Sequence, residues 1–334
     1  MPPASRRSYR IDALIGQGTY CNFVSAVSTK HQDKPVGIKI LRNSKGCFHS
    51  GLAEVRMYSL IRQHDPEGRR HIVRMLDAFY SREHLFIVTE LLNNSLLAHY
   101  MHLESLGGHA RAEYYAANTL GALSTQMLDA LDFLQGIGIA HCDVKPANIC
   151  IADSQARHFK LVDLGAAVLA HDTHNSYVQS RWYRAPEVIL GCEWGPKVDV
   201  WALGVNLAEL VLGFSPFQFP SSELVLAAQK AARGSFPQWM LSPSPLVAMF
   251  FTPSGYSYEV DPKRGPAGVY VLRSTPGSSL SAMLEARADP AIFGDLPAFT
   301  AFVEALLTID PNERPTAAAA LQHEWLTPYR FSPQ

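Results

Sequence analysis

The stretch His141-Cys142-Asp143-Val144-Lys145-Pro146-Ala147-Asn148 holds an aspartate, a lysine two residues on and an asparagine five residues on. A loop that moves a phosphoryl group needs those residue types at that spacing. Asp143 can orient a hydroxyl and accept its proton. Lys145 can neutralise charge on the group in transit. Asn148 can offer an amide carbonyl oxygen to magnesium, a hard cation that prefers oxygen ligands. One loop can match by accident, so the flanking sequence matters.

Asp163-Leu164-Gly165 follows twenty residues after Asp143 and adds Asp163 as a second candidate metal ligand. Leu164 is apolar, as packing beside such a ligand requires. Further on comes Ala185-Pro186-Glu187, and Glu187 has a candidate partner in Arg314, within Asp310-Pro311-Asn312-Glu313-Arg314-Pro315. A buried pair of that kind specifies structure and does no chemistry. Asp199, in Val198-Asp199-Val200-Trp201, opens an apolar helical run and can accept hydrogen bonds from the backbone of the 141–148 loop. Toward the N-terminus, Val36-Gly37-Ile38-Lys39 reads as a strand ending in a lysine. Alone, such a lysine snorkels its charge to water. Glu54, fifteen residues later on a helix-like stretch, can reach back as its ion-pair partner. The pair would hold Lys39 against the α- and β-phosphates of a nucleotide. Ile15-Gly16-Gln17-Gly18-Thr19-Tyr20 is a glycine turn whose backbone can approach phosphate oxygens. A strand follows it, so it is not a dinucleotide-binding turn.

The periodicity predicts strands over 9–15, 23–27, 36–41, 75–80 and 85–91, and a helix over 51–63 with Leu52, Val55, Tyr58 and Leu60 on one side. Beyond Leu92 the pattern is helical. Leu120, Leu123, Met127, Leu131 and Leu134 recur at helical spacing, 198–212 is apolar and stops at Gly213, and 297–307 and 316–323 resume the period. The 221–290 stretch, rich in Pro, Gly and Ser, reads as irregular with a short helix at its start. A small β-rich half before a larger α-rich half predicts two lobes with a ligand cleft between them. The 334 residues, 47% of them hydrophobic, are enough for a large core, and a net charge of −1 offers no basic field for nucleic acid. The first ten residues carry three arginines with no apolar run behind them, unlike a signal peptide. No stretch approaches the roughly 18 apolar residues of a membrane span. Five scattered cysteines form no CxxC pair, which argues against a disulfide framework or zinc site and for a reduced, intracellular chain, in the cytoplasm or the nucleus. His171 and His174 read as loop polarity, because no third metal ligand lies nearby.

Lys39, Glu54, Asp143, Lys145, Asn148, Asp163, Glu187 and Arg314, in this order, make the chain resemble the eukaryotic protein kinases over nearly all of its length. Within them it is most similar to the dual-specificity tyrosine-regulated kinases (DYRK) of the CMGC group. The evidence is His141-Cys142-Asp143, where most kinases have His-Arg-Asp, and Tyr177-Val178-Gln179-Ser180-Arg181-Trp182-Tyr183-Arg184-Ala185-Pro186-Glu187-Val188-Ile189-Leu190-Gly191. The resemblance implies an α+β, bilobal kinase fold over 9–328. Its N-lobe, 9–92, would hold five antiparallel strands and one helix; its C-lobe, 93–328, would be mainly helical, with a CMGC-type insert at about 221–290. It implies ATP and Mg2+ as cofactors, Ser/Thr hydroxyls of proteins as substrates, no nucleic-acid or membrane partner, and a monomer. It places Ile15, Gly16, Gln17, Gly18 and Thr19 over the phosphates. Phe23, Gly37, Thr89, Glu90, Leu92, Cys150 and Val162 would surround the base, with the Glu90–Leu92 backbone as hinge and Thr89 at the gate of a back pocket. Tyr177 matches the tyrosine that this family phosphorylates on itself, and Arg181 and Arg184 would bond its phosphate.

Three residues depart from the family pattern. Cys21 replaces the third glycine of the phosphate loop, where a positive φ would cost energy. Phe23 stands where a valine is usual and Gly37 where an alanine is usual. One gains volume as the other loses it, so Phe23 is expected to fill the space that Gly37 vacates. These departures keep open a pseudokinase scaffold or a weakly active ATP-binding module. Asp163-Leu164-Gly165 keeps open an SR-protein-kinase-like or CDC-like kinase.

Overall fold

The computed structural model describes residues 9–29, 34–153, 157–170, 178–242, 246–251, 258–260, 270–272, 278–289 and 293–330. Tyr177, His171 and His174 lie outside the described residues. The N-terminal part is an antiparallel sheet of β1 (Tyr9–Gln17), β2 (Cys21–Ser28), β3 (Lys34–Leu41), β4 (Met75–Ser81) and β5 (His84–Glu90), in the order β1-β2-β3-β5-β4. Side chains alternate across a strand. Val36 and Ile38 of β3 join Val24, Ala26 and Val88 in one small core, which leaves Gly37 and Lys39 on the opposite face. Pairing sets Phe23 across from Lys39 and Gly37 across from Thr89.

Helix α1 (Lys45–His64) connects β3 to β4 and begins six residues before the periodicity predicts. Ser44 is the reason: its hydroxyl accepts the Cys47 N–H at 3.2 Å and caps the helix. The buried face also differs from the expected one. Gly51, Glu54, Met57, Tyr58 and Ile61 point inward, whereas Leu52 is exposed. Gly51 selects that face, because a Cβ there would lie 2.7 Å from Leu85 and 2.9 Å from Leu41. Only a glycine allows so close an approach.

The C-terminal part is mainly helical. Its helices are α2 (Leu96–Leu106), α3 (Gly108–Tyr114), α4 (Ala117–Gly136), α5 (Pro186–Leu190), α6 (Lys197–Leu212), α7 (Ser222–Arg233) and α8 (Leu280–Arg287), followed by Leu296–Leu306 and the single turn Ala317–Ala320. The predicted 316–323 helix therefore shrinks to one turn, and a 3-10 segment, Glu324–Tyr329, takes over with Pro328 inside it. The 221–290 stretch is more regular than its composition suggests. It holds α7, α8 and an antiparallel strand pair, Tyr258–Val260 with Tyr270–Leu272. Short strand pairs also join β6 (Ile139–Ala140) to β9 (Val168–Leu169), and β7 (Ile149–Ile151) to β8 (Phe159–Leu161). Among the described residues, no helix is long and apolar enough to cross a membrane.

Helix α6 is buried on every side except at Lys197 and Glu209, as a central core helix must be. Arg314 packs against it, its guanidinium 5.0 Å from the Trp201 ring centre. Arg314 donates in bidentate fashion to Glu187 at 2.6 and 2.9 Å, and further to the carbonyls of Thr308 and Lys197. Both members of the pair are fully buried. The two parts of the molecule are stitched in the segment between α1 and β4. Val73 N–H donates to the Leu161 carbonyl at 3.0 Å, and Leu161 N–H to the His71 carbonyl at 2.8 Å. Lys160 of β8 pairs with Glu90 of β5 at 2.6 Å.

Removing one partner of a buried ion pair strands the other charge away from water. Glu187→Ala or Arg314→Ala is therefore expected to cost about 3–5 kcal/mol in denaturant unfolding. The double substitution should cost less than the sum of the two.

Candidate active site

The loop 141–148 is hung from α6. Asp199 accepts the His141 N–H at 2.7 Å and the Cys142 N–H at 2.9 Å, one on each carboxylate oxygen. Cys142 is left-handed, with φ 61°, a conformation uncommon for a residue with a Cβ. Burial pushes its thiol far above the ordinary range, so it is an inert structural sulfur. The His141 ring bonds at both nitrogens. Nδ1 accepts the Asp143 N–H at 3.2 Å, which leaves Nε2–H to donate to the Val162 carbonyl at 3.1 Å. The imidazole thus ties this loop to the residue preceding Asp163.

Asp143, Lys145 and Asn148 converge. Asn148 donates its amide to the Asp143 carbonyl and carboxylate, both at 2.9 Å. Lys145 donates to the same carboxylate at 2.7 Å. A fourth residue completes the group: Ser180 donates to the other Asp143 oxygen at 2.7 Å and accepts from Lys145 at 3.1 Å. Local spacing does not mark Ser180, which lies thirty-seven residues from Asp143.

Lys39 gathers the second cluster. Its ammonium donates to both Glu54 oxygens at 3.0 and 2.9 Å and to Asp163 at 2.8 Å. Burial alone would lower the Lys39 pKa, but the two carboxylates raise it well above the ordinary lysine value. Burial also works to raise the Asp163 carboxyl, and the Lys39 ammonium outweighs it and holds the group below its usual value. Burial lifts Glu54 against the pull of the same ammonium. Asp163 is itself left-handed, with φ 66° and ψ 83°, and accepts the Gly165 N–H at 3.2 Å.

These clusters border a cavity of about 530 Å³ between the sheet and the helical part. Ile15, Phe23, Thr89, Glu90 and Leu92 line it, with Cys150 and Val162 among the remaining lining residues; Lys39, Glu54, Asn148 and Asp163 lie at its polar end. Gly16, Gln17, Gly18 and Thr19 are not part of that lining. They form the end of β1 and its turn, where the Gly18 N–H donates to the Cys21 carbonyl at 2.8 Å. Asn148 commits its amide nitrogen to Asp143, which leaves its carbonyl oxygen as a ligand atom on the cavity that Asp163 also lines. Among the described residues, no group of three His, Cys, Asp or Glu could hold a metal ion. A metal here would rest on this amide and carboxylate, oxygen donors that suit a hard cation.

Two expectations change. Cys21 lies in β2 and is absent from the described residues with positive φ, so replacing glycine there causes no strain. Its thiol is raised by burial, not activated. Arg184 is buried and spends its guanidinium on the Val178 and Gln179 carbonyls, each at 2.7 Å, so it braces backbone and is not a cation held ready for phosphate. Arg181 donates to the Pro220 carbonyl. The Phe23–Gly37 exchange is seen directly: a Cβ on Gly37 would lie 2.6 Å from Cζ of Phe23 and 3.2 Å from the Thr89 hydroxyl.

The protein kinase domain profile matches residues 9–326. The chain is 31% identical, over 95% of its length, to the dual specificity tyrosine-phosphorylation-regulated kinase mbk-2 of Caenorhabditis elegans, of which it covers 38%. It is 30% identical to the probable serine/threonine-protein kinase dyrk2 of Dictyostelium discoideum, with 95% of this chain and 33% of the relative aligned. It is also 30% identical to the DYRK-family kinase pom1 of Schizosaccharomyces pombe, with 96% and 27% aligned. The chain thus spans about a third of the length of these relatives. Its match to the domain profile and its closed Lys39–Glu54–Asp163 cluster agree: the chain belongs to the protein kinase family, and its curated relatives include DYRK kinases.

Proposed function

We propose that the chain transfers the γ-phosphoryl group of ATP to serine and threonine hydroxyls of proteins and phosphorylates its own Tyr177. The observation that carries this reading is the joining of Lys39 to Glu54 and Asp163 at once, on a cavity that Asn148, bonded to Asp143, also lines. In this reading Asp143 takes the position of the base. Its carboxylate orients the substrate hydroxyl and receives its proton as the oxygen attacks the γ-phosphorus. Lys145, bonded to that carboxylate, balances charge on the phosphoryl group in transit. Lys39 grips the α- and β-phosphates, and Phe23 covers the base. Asn148 and Asp163 would hold magnesium, which supplies charge neutralisation along the phosphates. Ser180 occupies the Asp143 oxygen nearest the 178–185 segment, and the substrate hydroxyl would share or take that bond.

Dual specificity is named for the C. elegans relative, and it supports the Tyr177 part of the reading. Arg181 would then share its guanidinium donors between the Pro220 carbonyl and the phosphate, while Arg184 stays committed to the Val178 and Gln179 carbonyls. The doubts attached to Cys21 and Gly37 weigh little. The first is unstrained strand, and the second is compensated by Phe23.

Asp143→Asn should lower turnover of a basic protein substrate with labelled ATP by about 10²- to 10⁴-fold. Undiminished turnover would remove Asp143 from the mechanism. Mass spectrometry of recombinant wild-type protein should find phosphate on Tyr177, and Lys39→Met protein should lack it. Gly37→Ala should weaken ATP binding by about 5- to 150-fold, the equivalent of ~1–3 kcal/mol of overpacking. Adding Phe23→Val should restore it in a titration of both variants.

A further inference from the structure

The turn between β1 and β2 takes its shape from hydrogen bonds and not from the freedom of glycine. None of residues 16–21 has a positive φ, although Gly16 and Gly18 carry no Cβ. The Gly18 N–H donates to the Cys21 carbonyl at 2.8 Å and closes the turn. Two further bonds reach it from β3, and one residue makes both. Arg42, directly after that strand, donates its backbone N–H to the Tyr20 carbonyl at 2.9 Å and its Nη2 to the Gly18 carbonyl at 3.2 Å. In a trans peptide the C=O and the following N–H point in opposite directions. Holding the Gly18 carbonyl therefore also sets the direction of the Thr19 N–H. The turn lies between Ile15 and Cys21, and both of these line the cavity together with Lys39.

Residues 42–44 connect β3 to α1, and each of them ties a different element. Arg42 ties the turn. Asn43 donates its side-chain amide to Glu83, between β4 and β5, at 3.0 Å. Ser44 caps α1 at the Cys47 N–H. The connector is also closed on itself, because the Ser44 N–H donates to the Arg42 carbonyl at 2.8 Å. Just before it, the Leu41 carbonyl accepts Nδ1–H of His84 at 2.6 Å. Arg42 therefore reaches the turn from an anchored base. We propose that Arg42 is a positioning residue whose guanidinium braces the 18–20 turn against this connector and keeps it in the shape that receives the nucleotide phosphates. The proposal rests on the phosphoryl-transfer reading of the site. Arg42 is exposed, so losing its bond should alter the turn without unfolding the chain.

Arg42→Ala removes the guanidinium and leaves the backbone bond to Tyr20. In calorimetric titration of the full chain, ATP with magnesium should bind about 3- to 10-fold more weakly, the range for one lost hydrogen bond. Adenosine, which has no phosphates for the turn to receive, should bind within about twofold of its wild-type affinity. Without nucleotide, amide hydrogen exchange over 16–21 should accelerate by a factor similar to the loss of ATP affinity, while the melting midpoint stays near that of wild type. Arg42→Lys keeps a charged donor and should recover most of both changes. In turnover assays of Arg42→Ala, KM for ATP should rise while kcat at saturating ATP stays within about twofold. Unchanged ATP affinity in Arg42→Ala would overturn the brace. Equal losses for ATP and adenosine would overturn it too, because they mark a general loosening of the pocket. So would weaker ATP binding with unchanged exchange over 16–21, which leaves only the charge of Arg42 acting at a distance. Binding and exchange need no turnover. A wild-type chain that binds ATP and transfers no phosphate would end the functional reading and still leave the brace tested, and one that binds no ATP would end both.

Discussion

Everything at this site hangs on one buried carboxylate. Asp199 accepts two successive backbone N–H groups, and by doing so it holds Cys142 in a backbone conformation that it would not choose for itself. That turn aims Asp143, and Asp143 in turn organises Lys145, Asn148 and Ser180. The carboxylate can do this because it belongs to α6, a helix packed on nearly every side and therefore immobile. The catalytic loop, with Cys142 and Val144 already in the core, takes the direction of its backbone from the best-packed element of the fold.

The same economy recurs elsewhere. Buried charges here are met either by an opposite charge, as in the bidentate Glu187–Arg314 pair and the branched contacts of Lys39, or by backbone groups, as at Asp199 and Arg184. Of the six left-handed non-glycine residues among those described, Cys142, Asp163 and Gln179 lie in or beside the active site, and each of these three is secured by hydrogen bonds from outside its own turn or from its side chain. Strain of this kind persists only where the surroundings overdetermine it. Changes of shape are matched across space in the same way, as Phe23 and Gly37 show.

Much of this was legible in the linear chain, for a chemical reason. Asp143, Lys145 and Asn148 must lie within one short loop to serve one phosphoryl group, so their spacing survives as a pattern. Lys39, Glu54 and Asp163 were recoverable because each ends or occupies a recognisable element, and the structure brings all three together. What escaped depended on packing between distant segments. Ser180 bonds Asp143 from far along the chain. The inward face of α1 was misread because Gly51, not a large apolar residue, sets the approach to Leu41 and Leu85. Helix α2 fell in the stretch read as helical beyond Leu92 but was given no bounds for lack of a strong period, although Ser95 caps it at the Ala98 N–H. The resemblance gave Arg184 to a phosphate on Tyr177, and only its neighbours reveal a buried brace.

The stitching of the 71–73 stretch to β8 gives α1 a mechanical character. The 71–73 segment that follows its C-terminal end is tied through backbone hydrogen bonds to the helical part, while its N-terminal end, some 30 Å away for a helix of twenty residues, packs on the sheet through Phe48 and Tyr80. The helix is thus a lever with its fulcrum at one tip. A small tilt there swings Ser44 and Cys47 through a wide arc and moves Glu54, midway along, by about half as much. Displacement at the sheet end therefore bears on the Lys39 pair with more leverage than displacement near the 71–73 tie.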